Sequence, residues 1–253
     1  MMHTLFNHRS IRKFTTDIVE PDKLKLILEA ATRASNTGNM QAYSIVVTTD
    51  SNIREKLWEA HFKQNMVLEA PLHLTFCADF NRFSKWCNQR KADPGYDNYL
   101  SFLTGAIDAT IAAQNAALAA ESLGLGICYL GTATWMAAKL IDILDLPELV
   151  VPVTALVIGY PNEYPTLTDR LPVDGVVHLE KYQDYTPDQI NLIHSEKENL
   201  ESTLGLLRTN QKETLAQIFT ESRYKRDDNR FFSKAFLKVL EKQNFMRNDV
   251  EIP

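Results

Sequence analysis

The sequence predicts a mixed α/β domain followed by a polar helical segment, with more helices than strands. Short β-branched runs alternate with helical periodicity as far as residue 159. One alanine-rich stretch, 99–123, is long enough to form a single helix of several turns. Beyond Glu180 the sequence becomes polar and helical, and it includes an amphipathic stretch at 231–240.

The composition is that of a globular protein that needs no covalent cross-links. The chain has 253 residues, a net charge of −5 and 45% hydrophobic residues, which is enough for a large core. No apolar run approaches the roughly 20 residues of a membrane span. The N-terminus, MMHTLFNHRS, lacks an apolar signal-peptide core, and the mild acidity gives no general nucleic-acid footprint. We therefore expect a cytoplasmic protein without membrane or nucleic-acid partners.

The cysteines give no sign of a disulfide framework or a metal site. Cys77, Cys87 and Cys128 are scattered and odd in number, and none belongs to a CxxC pattern. We expect buried, unreactive thiols in a reducing compartment and no bound metal.

The first half of the chain divides into short elements. Pro21 suits the first position of a helix over 21–35, in which Leu24, Ile27 and Leu28 recur at helical spacing. SNTGNMQ, at 35–41, is a polar turn. Strands are predicted at 43–49 and after Pro71 (LHLTFCA), with a helix at 52–64 between them. Residues 81–99 are polar and aromatic, and they are predicted to form an excursion over the surface.

The long helix at 99–123 is apolar on nearly every face. Leu103, Ile107 and Ile111 mark one face, and alanines occupy most of the others. A helix that is apolar all round must be buried on several sides. Packing inside one compact domain and packing at a dimer seam both satisfy this condition, and the pattern alone leaves both open.

The remaining elements follow in a regular order. Gly124 and Gly126 end the long helix, and ICYLG, to Gly131, is a strand that runs into a turn. A helix is predicted at 133–144, a strongly apolar strand at 149–159 and a proline-rich loop after it.

The segment HRSIRKF, at 8–14, is unusually basic for a mildly acidic protein. It is either a solvated patch or an anion site, since arginine forks and a serine hydroxyl suit phosphate oxygens. Neither GxxxxGK[ST] nor GxGxxG is present, so side-chain cations would have to hold any phosphate. Arg170, on a distant loop, could join the cluster, although sequence alone does not place it there.

Candidates for acid–base or nucleophilic catalysis are few. The chain has no GxSxG elbow and no HExxH motif. We interpret His61 and His178 as surface or core histidines, and Cys128 as an inert thiol within a strand. An enzyme with so few catalytic groups would rely on a cofactor for its chemistry.

These motifs together resemble the nitroreductase family of FMN enzymes, in particular its NADPH-preferring, oxygen-insensitive branch. The resemblance covers most of the chain and is firmest over 5–182; it rests on HRSIRKF, the Gln41 turn, FCADFNR, AALAAESLGLGICYLG and DRLP. It implies an α+β fold with a central mixed sheet flanked by helices, in an intertwined homodimer with FMN at the interface. It also implies an FMN-binding core at 1–182 and a helical extension at 183–253 that packs on the core or on the partner subunit.

The resemblance assigns cofactor-binding roles residue by residue. His8, Arg9 and Ser10 match residues that grip the flavin phosphate and ribityl chain, and Arg12 matches a catalytic cation near flavin N1 and O2. The other matches are the turn residues Asn36, Gly38, Met40 and Gln41, the pyrimidine partner Gln64, the N5–O4 segment Tyr129, Leu130 and Gly131, and the phosphate-side cation Arg170. Three departures stand out: Thr168 replaces a lysine, and Asn36 and Gly38 replace serines.

The implied activity is transfer of electrons from NADPH or NADH, through FMN, to a nitroaromatic, a quinone or a flavin. Arg223, Lys225 and Arg226 lie in the region expected to bind the 2′-phosphate of NADPH, although a solvated mixed-charge helix start is the alternative. A flavin-binding redox sensor without turnover, and a reductase that supplies free reduced flavin to a partner, are alternative functions. A phosphate-binding regulatory domain without flavin is a further one.

Overall fold

The computed structural model describes residues 2–247, which form two compact units. The first contains residues up to 166 together with those from 233 onwards, and the second contains 167–232. The division predicted from sequence, 1–182 and 183–253, follows a change in composition and stays a prediction.

Eight helices and four strands build the main part of the first unit within the described residues. The helices are α1 (Met2–Phe6), α2 (Pro21–Thr32), α3 (Ser51–Ala60), α4 (Met66–Glu69), α5 (Asn81–Gln89), α6 (Tyr99–Ser122), α7 (Thr132–Trp135) and α8 (Ala137–Ile143). The strands are β1 (Tyr43–Thr48), β2 (Leu72–Asp79), β3 (Gly126–Leu130) and β4 (Val150–Gly159). This α+β architecture is the predicted fold class.

The four strands form one sheet in the order β1-β2-β4-β3. Every neighbouring pair is antiparallel, with Leu74 opposite Leu156 and Cys128 opposite Val157. A mixed sheet was expected, but the parallel pairing among the described residues is one isolated bridge, between Ser10 and Ile127. All eight residues of β2 are buried, so β2 lies at the centre of the core, and β3 is an edge strand.

Helix α6 packs on the sheet through its small residues. Ala109, Ala112 and Ala116 are fully buried, and a Cβ added to Gly105 would lie 2.8 Å from the carbonyl oxygen of Ala42. The glycine is therefore needed for the close approach of the helix to the chain beside β1. Three of its larger apolar residues point outward instead: Leu103, Ile107 and Ile111 are 41%, 51% and 37% exposed.

Two predicted elements differ from the structure. Residues 81–89 form helix α5 within the segment that was predicted to be an excursion over the surface, and all of them except Cys87 are exposed or half-buried. Cys87 is buried there, and Phe83 packs against Phe80 and Tyr96, because aromatic contacts hold the polar segment onto the core. The helix predicted at 133–144 is divided into α7 and α8 at Met136.

The second unit is helical. It contains a 3₁₀ turn at Val173–Gly175, helices α9 (Pro187–Asn199), α10 (Glu201–Asn210) and α11 (Leu215–Gln217), and a π-helical turn at Ile218–Arg223. Thr186 and Gln189 form a capping box at the start of α9, which satisfies N–H groups that have no acceptor within the helix.

The last described helix, α12 (Arg226–Lys242), begins in the second unit and ends in the first. Val239, Leu240 and Phe245 are buried in a cluster with Phe80 and Phe102. Residues 239–245 therefore contribute to the core of the first unit. Within 2–247 none of the helices combines the length and hydropathy required to span a bilayer.

Candidate functional site

The basic segment 8–14 is fixed along the outer edge of β3. The backbone N–H of Ile11 donates to the carbonyl of Ile127 at 2.9 Å, and Phe14 forms an antiparallel bridge with Pro161. Ile11 also packs onto Gly126, where an added Cβ would lie 2.8 Å from the isoleucine side chain. The strand edge and this close contact together set the register of the segment.

That register sorts the side chains of the segment by polarity. Ile11 and Phe14 are buried, whereas Arg12 and Lys13 are exposed. Glu163 accepts hydrogen bonds from the backbone N–H groups of Arg12 and Lys13, at 2.6 and 3.2 Å. Among residues 2–247 the guanidinium of Arg12 has neither a hydrogen-bond acceptor nor a carboxylate partner. A fixed backbone thus carries a cation that is free to bind an anion.

His8 and Arg9 are partly engaged within the first unit. His8 Nδ1 lies 2.7 Å from a carboxylate oxygen of Glu121, which leaves Nε2 for another partner. Arg9 donates to the carbonyls of Pro165 and Asn7, and its guanidinium lies 4.4 Å from the ring centroid of Tyr164. Since a guanidinium has five N–H donors, these contacts orient Arg9 without exhausting it.

A second part of the site is the turn at 36–42, just before β1. Gly38, Asn39 and Gln41 have φ values of 55°, 57° and 54°, in the left-handed region that costs most residues energy. Asp108 of α6, which is 1% exposed, accepts hydrogen bonds from the Thr37 N–H, the Thr37 hydroxyl and the Ala42 N–H. One buried carboxylate therefore clamps both ends of a strained turn.

Arg82 supports the same turn from α5. Its guanidinium donates to the carbonyl of Gln41 and, at 3.2 Å, to that of Tyr43. The backbone N–H of Arg82 donates to the Asp79 carboxylate at 3.1 Å, and the Ser44 hydroxyl donates to the same carboxylate. The backbone of Gln41 is thus fixed, whereas its side chain is exposed.

The segment 129–131 leaves β3 and enters α7. Leu130 is buried, Gly131 is exposed, and the Tyr129 hydroxyl donates to Gln114 Oε1 at 3.1 Å. Burial raises the pKa of Tyr129 to about 12. Burial also raises the pKa of the Cys128 thiol, although the charge of Arg12 acts in the opposite direction. Both groups stay protonated at neutral pH, which agrees with the prediction that Cys128 is inert.

Gln64 lies on the link between α3 and α4, where its side-chain amide donates to the carbonyl of His61 at 3.0 Å. His61 itself is fully buried beside His73. Burial lowers the pKa of His61 to about 4 and that of His73 to about 3, so both imidazoles are neutral at physiological pH. His61 is therefore a core histidine.

The remaining predicted cations belong to the second unit, which is described by itself. Arg170 donates to the carbonyls of Thr168 and Asp169, and Lys197 pairs with Asp169 at 2.7 Å. Arg223 lies over the ring of Phe219, at 5.9 Å. Lys225 and Arg226 are exposed. The roles of these cations in binding phosphate groups stay predictions.

Sequence reasoning missed the carboxylates that support the site. Asp108 was detectable, because it is the only acidic or basic residue between 99 and 120 and a buried charge requires partners. Glu121 lies within the quoted AALAAESLG motif, but nothing in the sequence pairs it with His8. Glu163 gives no signal, since its role depends on the path of the chain after β4.

The residues present fit a phosphate-bearing cofactor. Burying a phosphate requires several donors at once, and the segment 8–14 holds Arg9, Arg12 and Ser10 in one fixed register. The clamped turn and the exit from β3 supply fixed backbone for the rest of the group. The fold and this donor set define an α+β protein in which side-chain cations, rather than a glycine-rich loop, would hold a cofactor.

The comparisons with known proteins agree with this class. The model of the Nitroreductase family matches residues 5–160. The chain belongs to the nitroreductase family.

Individual relatives extend the match to nearly the whole chain. A solved structure from Bacteroides fragilis, provisionally named an oxidoreductase, is 51% identical with a TM-score of 0.95, covering 97% of this chain and 100% of that one. The FMN reductase [NAD(P)H] of Bacillus subtilis is 34% identical over 248 residues, 97% of each chain. The oxygen-insensitive NADPH nitroreductase of Salmonella typhimurium is 38% identical over 179 residues, 71% of this chain and 73% of that one.

Proposed function

We propose that the protein is an FMN-dependent NAD(P)H oxidoreductase that reduces nitroaromatics, quinones or flavins by a ping-pong mechanism. The observation that carries this proposal is the exposed guanidinium of Arg12, which has no acceptor within residues 2–247, on a segment fixed to β3. The relatives of the chain are named FMN reductases and NADPH nitroreductases. When bound, FMN would supply the acceptance and donation of hydride at its N5 atom.

The residues of the chain would bind the FMN phosphate and the adjacent ribityl chain. We assign this role to His8, Arg9 and Ser10, with Arg170 as a further cation. The contacts of Arg9 with Pro165 and Tyr164 fix the direction of its fork before a ligand binds, which lowers the entropic cost of binding. Thr168 supplies no charge at the position where the resemblance implies a lysine. Lys197, which pairs with Asp169, is a cation available in the second unit.

Arg12 would stabilise the negative charge that reduction places at N1 and O2 of the flavin. A preorganised cation aimed at developing charge is an effective form of catalysis. Glu163 contributes by fixing the backbone of Arg12 through its N–H, and it does so without pairing with the guanidinium.

The clamped turn and the β3 exit would position the flavin ring. We assign contacts with the ring to the following residues: Asn36, Gly38, Met40, Gln41, Gln64, Tyr129, Leu130 and Gly131. Support comes from the fixed backbone of the turn, since Asp108 and Arg82 hold it from two sides. A rigid support excludes water and limits the orientations that the ring can adopt.

We further propose that two chains form a homodimer through the outer face of α6. Leu100, Leu103, Ile107 and Ile111 form an exposed apolar stripe on this helix. Such a stripe is typical of an interaction surface. The alanine face fills the core of the first unit, so the proposed dimer seam would lie on the opposite side of the same helix.

The nucleotide would be NADPH, bound through Arg223, Lys225 and Arg226, with a small molecule as the electron acceptor. These cations can pair with a 2′-phosphate. A cytoplasmic location is consistent with three free, buried cysteines, because oxidising compartments favour disulfides. Comparing kcat/KM for NADPH and NADH, in wild type and in Arg223→Ala, tests the choice of nucleotide; equal values in the wild type would contradict it.

The direct test of the proposed function is a steady-state activity assay carried out without oxygen. The purified chain, loaded with FMN, is mixed with NADPH and with nitrofurazone, a quinone or free FMN as the acceptor. Parallel lines in double-reciprocal plots are expected for a ping-pong mechanism. A chain that binds FMN but oxidises no NADPH with any of these acceptors would be a flavin-binding protein without turnover, and the proposal would be wrong.

A further inference from the structure

Four side chains in the first unit form a hydrogen-bonded chain that the proposed mechanism does not use. The Thr75 hydroxyl lies 3.4 Å from His73 Nδ1, and His73 Nε2 lies 3.2 Å from His61 Nε2. His61 Nδ1 lies 2.6 Å from the hydroxyl of Thr132. These hydrogen bonds therefore connect β2, the C-terminal end of α3 and the first residue of α7.

The contacts of the two imidazoles restrict where their protons lie. Two Nε2 atoms at 3.2 Å form one hydrogen bond, so one of them carries a proton and the other accepts it. If His73 donates, His61 Nδ1 carries a proton and donates to the Thr132 hydroxyl. If His61 donates at Nε2, the Thr132 hydroxyl donates to His61 Nδ1. In both arrangements the imidazoles are neutral and Thr132 stays bonded to His61.

The surroundings favour this neutral arrangement. Both imidazoles are fully buried. The charged group that faces His73 is Arg54, whose guanidinium donates to the carbonyls of Ala70 and Leu68. A nearby positive charge disfavours an imidazolium. Among the described residues no cluster of three potential metal ligands exists.

Thr132 is the residue that links these hydrogen-bonded side chains to the proposed site. It is the first residue of α7 and follows Gly131 directly. The hydrogen bond between the Thr132 hydroxyl and the buried His61 therefore fixes the position of the backbone at the exit from β3.

We propose that His61 is a positioning residue: through Thr132 it holds segment 129–132 against the flavin ring, and its contact with His73 keeps the imidazole oriented. The inference rests on the proposed function, because segment 129–131 is assigned there to the ring. Core packing alone would not require the hydroxyl of Thr132.

Two substitutions at one position test the inference. Thr132→Val has the same shape but lacks the hydroxyl, whereas Thr132→Ser keeps it. With the FMN-loaded full chain, anaerobic stopped-flow reduction by NADPH is expected to be about tenfold slower in Thr132→Val, which corresponds to about 1.4 kcal/mol. Thr132→Ser should stay within about twofold of wild type, and FMN affinity, set mainly at the phosphate, should change little in either variant.

Other outcomes would overturn the inference. Equal reduction rates in wild type and Thr132→Val, even with a lower unfolding temperature, would leave Thr132 a purely structural role. Equal slowing in both variants would show that the hydroxyl is not the determinant. A wild-type chain that binds no FMN would instead refute the proposed function itself.

A second measurement does not depend on variants that fold. ¹⁵N NMR of the histidine side chains in the wild-type protein should show two neutral imidazoles that share one Nε2 proton. Saturation with FMN should shift the signals of His61, whose hydrogen bond leads to the ring segment. Signals of an imidazolium or of a metal-bound imidazole, or His61 signals that do not respond to FMN, would contradict the proposed positioning role of His61.

Discussion

Arg12 shows how neighbouring residues can prepare a side chain for the role that we propose. Ile11 and Phe14 are buried on either side of it, and Glu163 binds its backbone rather than its guanidinium. The result is an exposed cation on a rigid support. The same arginine on a mobile loop would have to be ordered by the ligand, at a cost in binding free energy.

Replacing Arg12 tests its electrostatic role. Arg12→Ala is expected to lower the reduction potential of bound FMN and to slow flavin reduction by NADPH by about 100-fold, a typical loss for one charge-stabilising group. Lys13→Ala is the matched control, since Lys13 is an adjacent exposed cation, and it should react like wild type. Stopped-flow traces of Arg12→Ala that match wild type would contradict the assigned role.

Asp108 has a different role, because its contacts are all with the turn at 36–42. In Asp108→Asn one carboxylate oxygen becomes an N–H donor, so a buried N–H of the turn loses its acceptor, at a cost of about 1–3 kcal/mol. We expect a lower unfolding temperature and about tenfold weaker FMN binding by fluorescence titration. Asp142→Asn, an exposed change on α8, is the control. Unchanged FMN affinity in Asp108→Asn would separate the turn from the cofactor.

The buried histidines predict a dependence of stability on pH. Their pKa values of about 4 and about 3 in the folded protein lie below the ordinary value of 6.5, so below pH 6.5 the unfolded state binds more protons than the folded state. The free energy of unfolding should therefore be steady above pH 6.5 and fall as the pH drops towards 4. Urea titrations between pH 7.5 and 5 measure this slope, and His73→Phe should reduce it. A flat profile from pH 6.5 to 5 would contradict the buried, neutral assignment.

At the scale of elements, helix α6 shows how large and small apolar residues are distributed between two faces of one helix. Its periodicity predicted the helix, but Leu103, Ile107 and Ile111 face outward and most of its alanines face inward. Small residues allow the helix to approach the sheet closely, as Gly105 does beside Ala42. Sequence hydrophobicity cannot distinguish a core face from an interface face, because both exclude water.

A charge on the outer face of α6 tests the proposed dimer. Ile107→Glu would place a carboxylate within the apolar stripe, and burying it without a partner is costly. Analytical ultracentrifugation should show a dimer for wild type and for Lys85→Glu, an exposed change on α5, and a monomer for Ile107→Glu. A wild-type monomer that keeps its full complement of FMN would refute the interface.

At the scale of the whole molecule, local patterns predicted more of the fold than of the site. The predicted strands end within one or two residues of β1, β2, β3 and β4, because β-branched runs and turn residues are local signals. Helix α5 was not predicted from the sequence. Its Phe83 packs on the rings of Phe80 and Tyr96, and these contacts are set by the tertiary fold. The family assignment made from the five motifs is confirmed by the match over residues 5–160.

The site could be predicted only in part. The positive charge of HRSIRKF identified it as a candidate site. Its position on the edge of β3, however, depends on Ile127 and Gly126, more than a hundred residues away. The supporting carboxylates Glu121 and Glu163 are invisible for the same reason. A hydrogen bond between residues distant in sequence leaves no local pattern.

The visible absorption spectrum of the full-length chain tests the central claim most directly. The protein is incubated with FMN, freed of excess flavin by desalting, and scanned before and after anaerobic addition of NADPH. We predict about one FMN retained per chain and loss of the yellow absorption band when NADPH is added. A colourless protein after incubation with saturating FMN, or a bound flavin that NADPH does not bleach, would contradict the account.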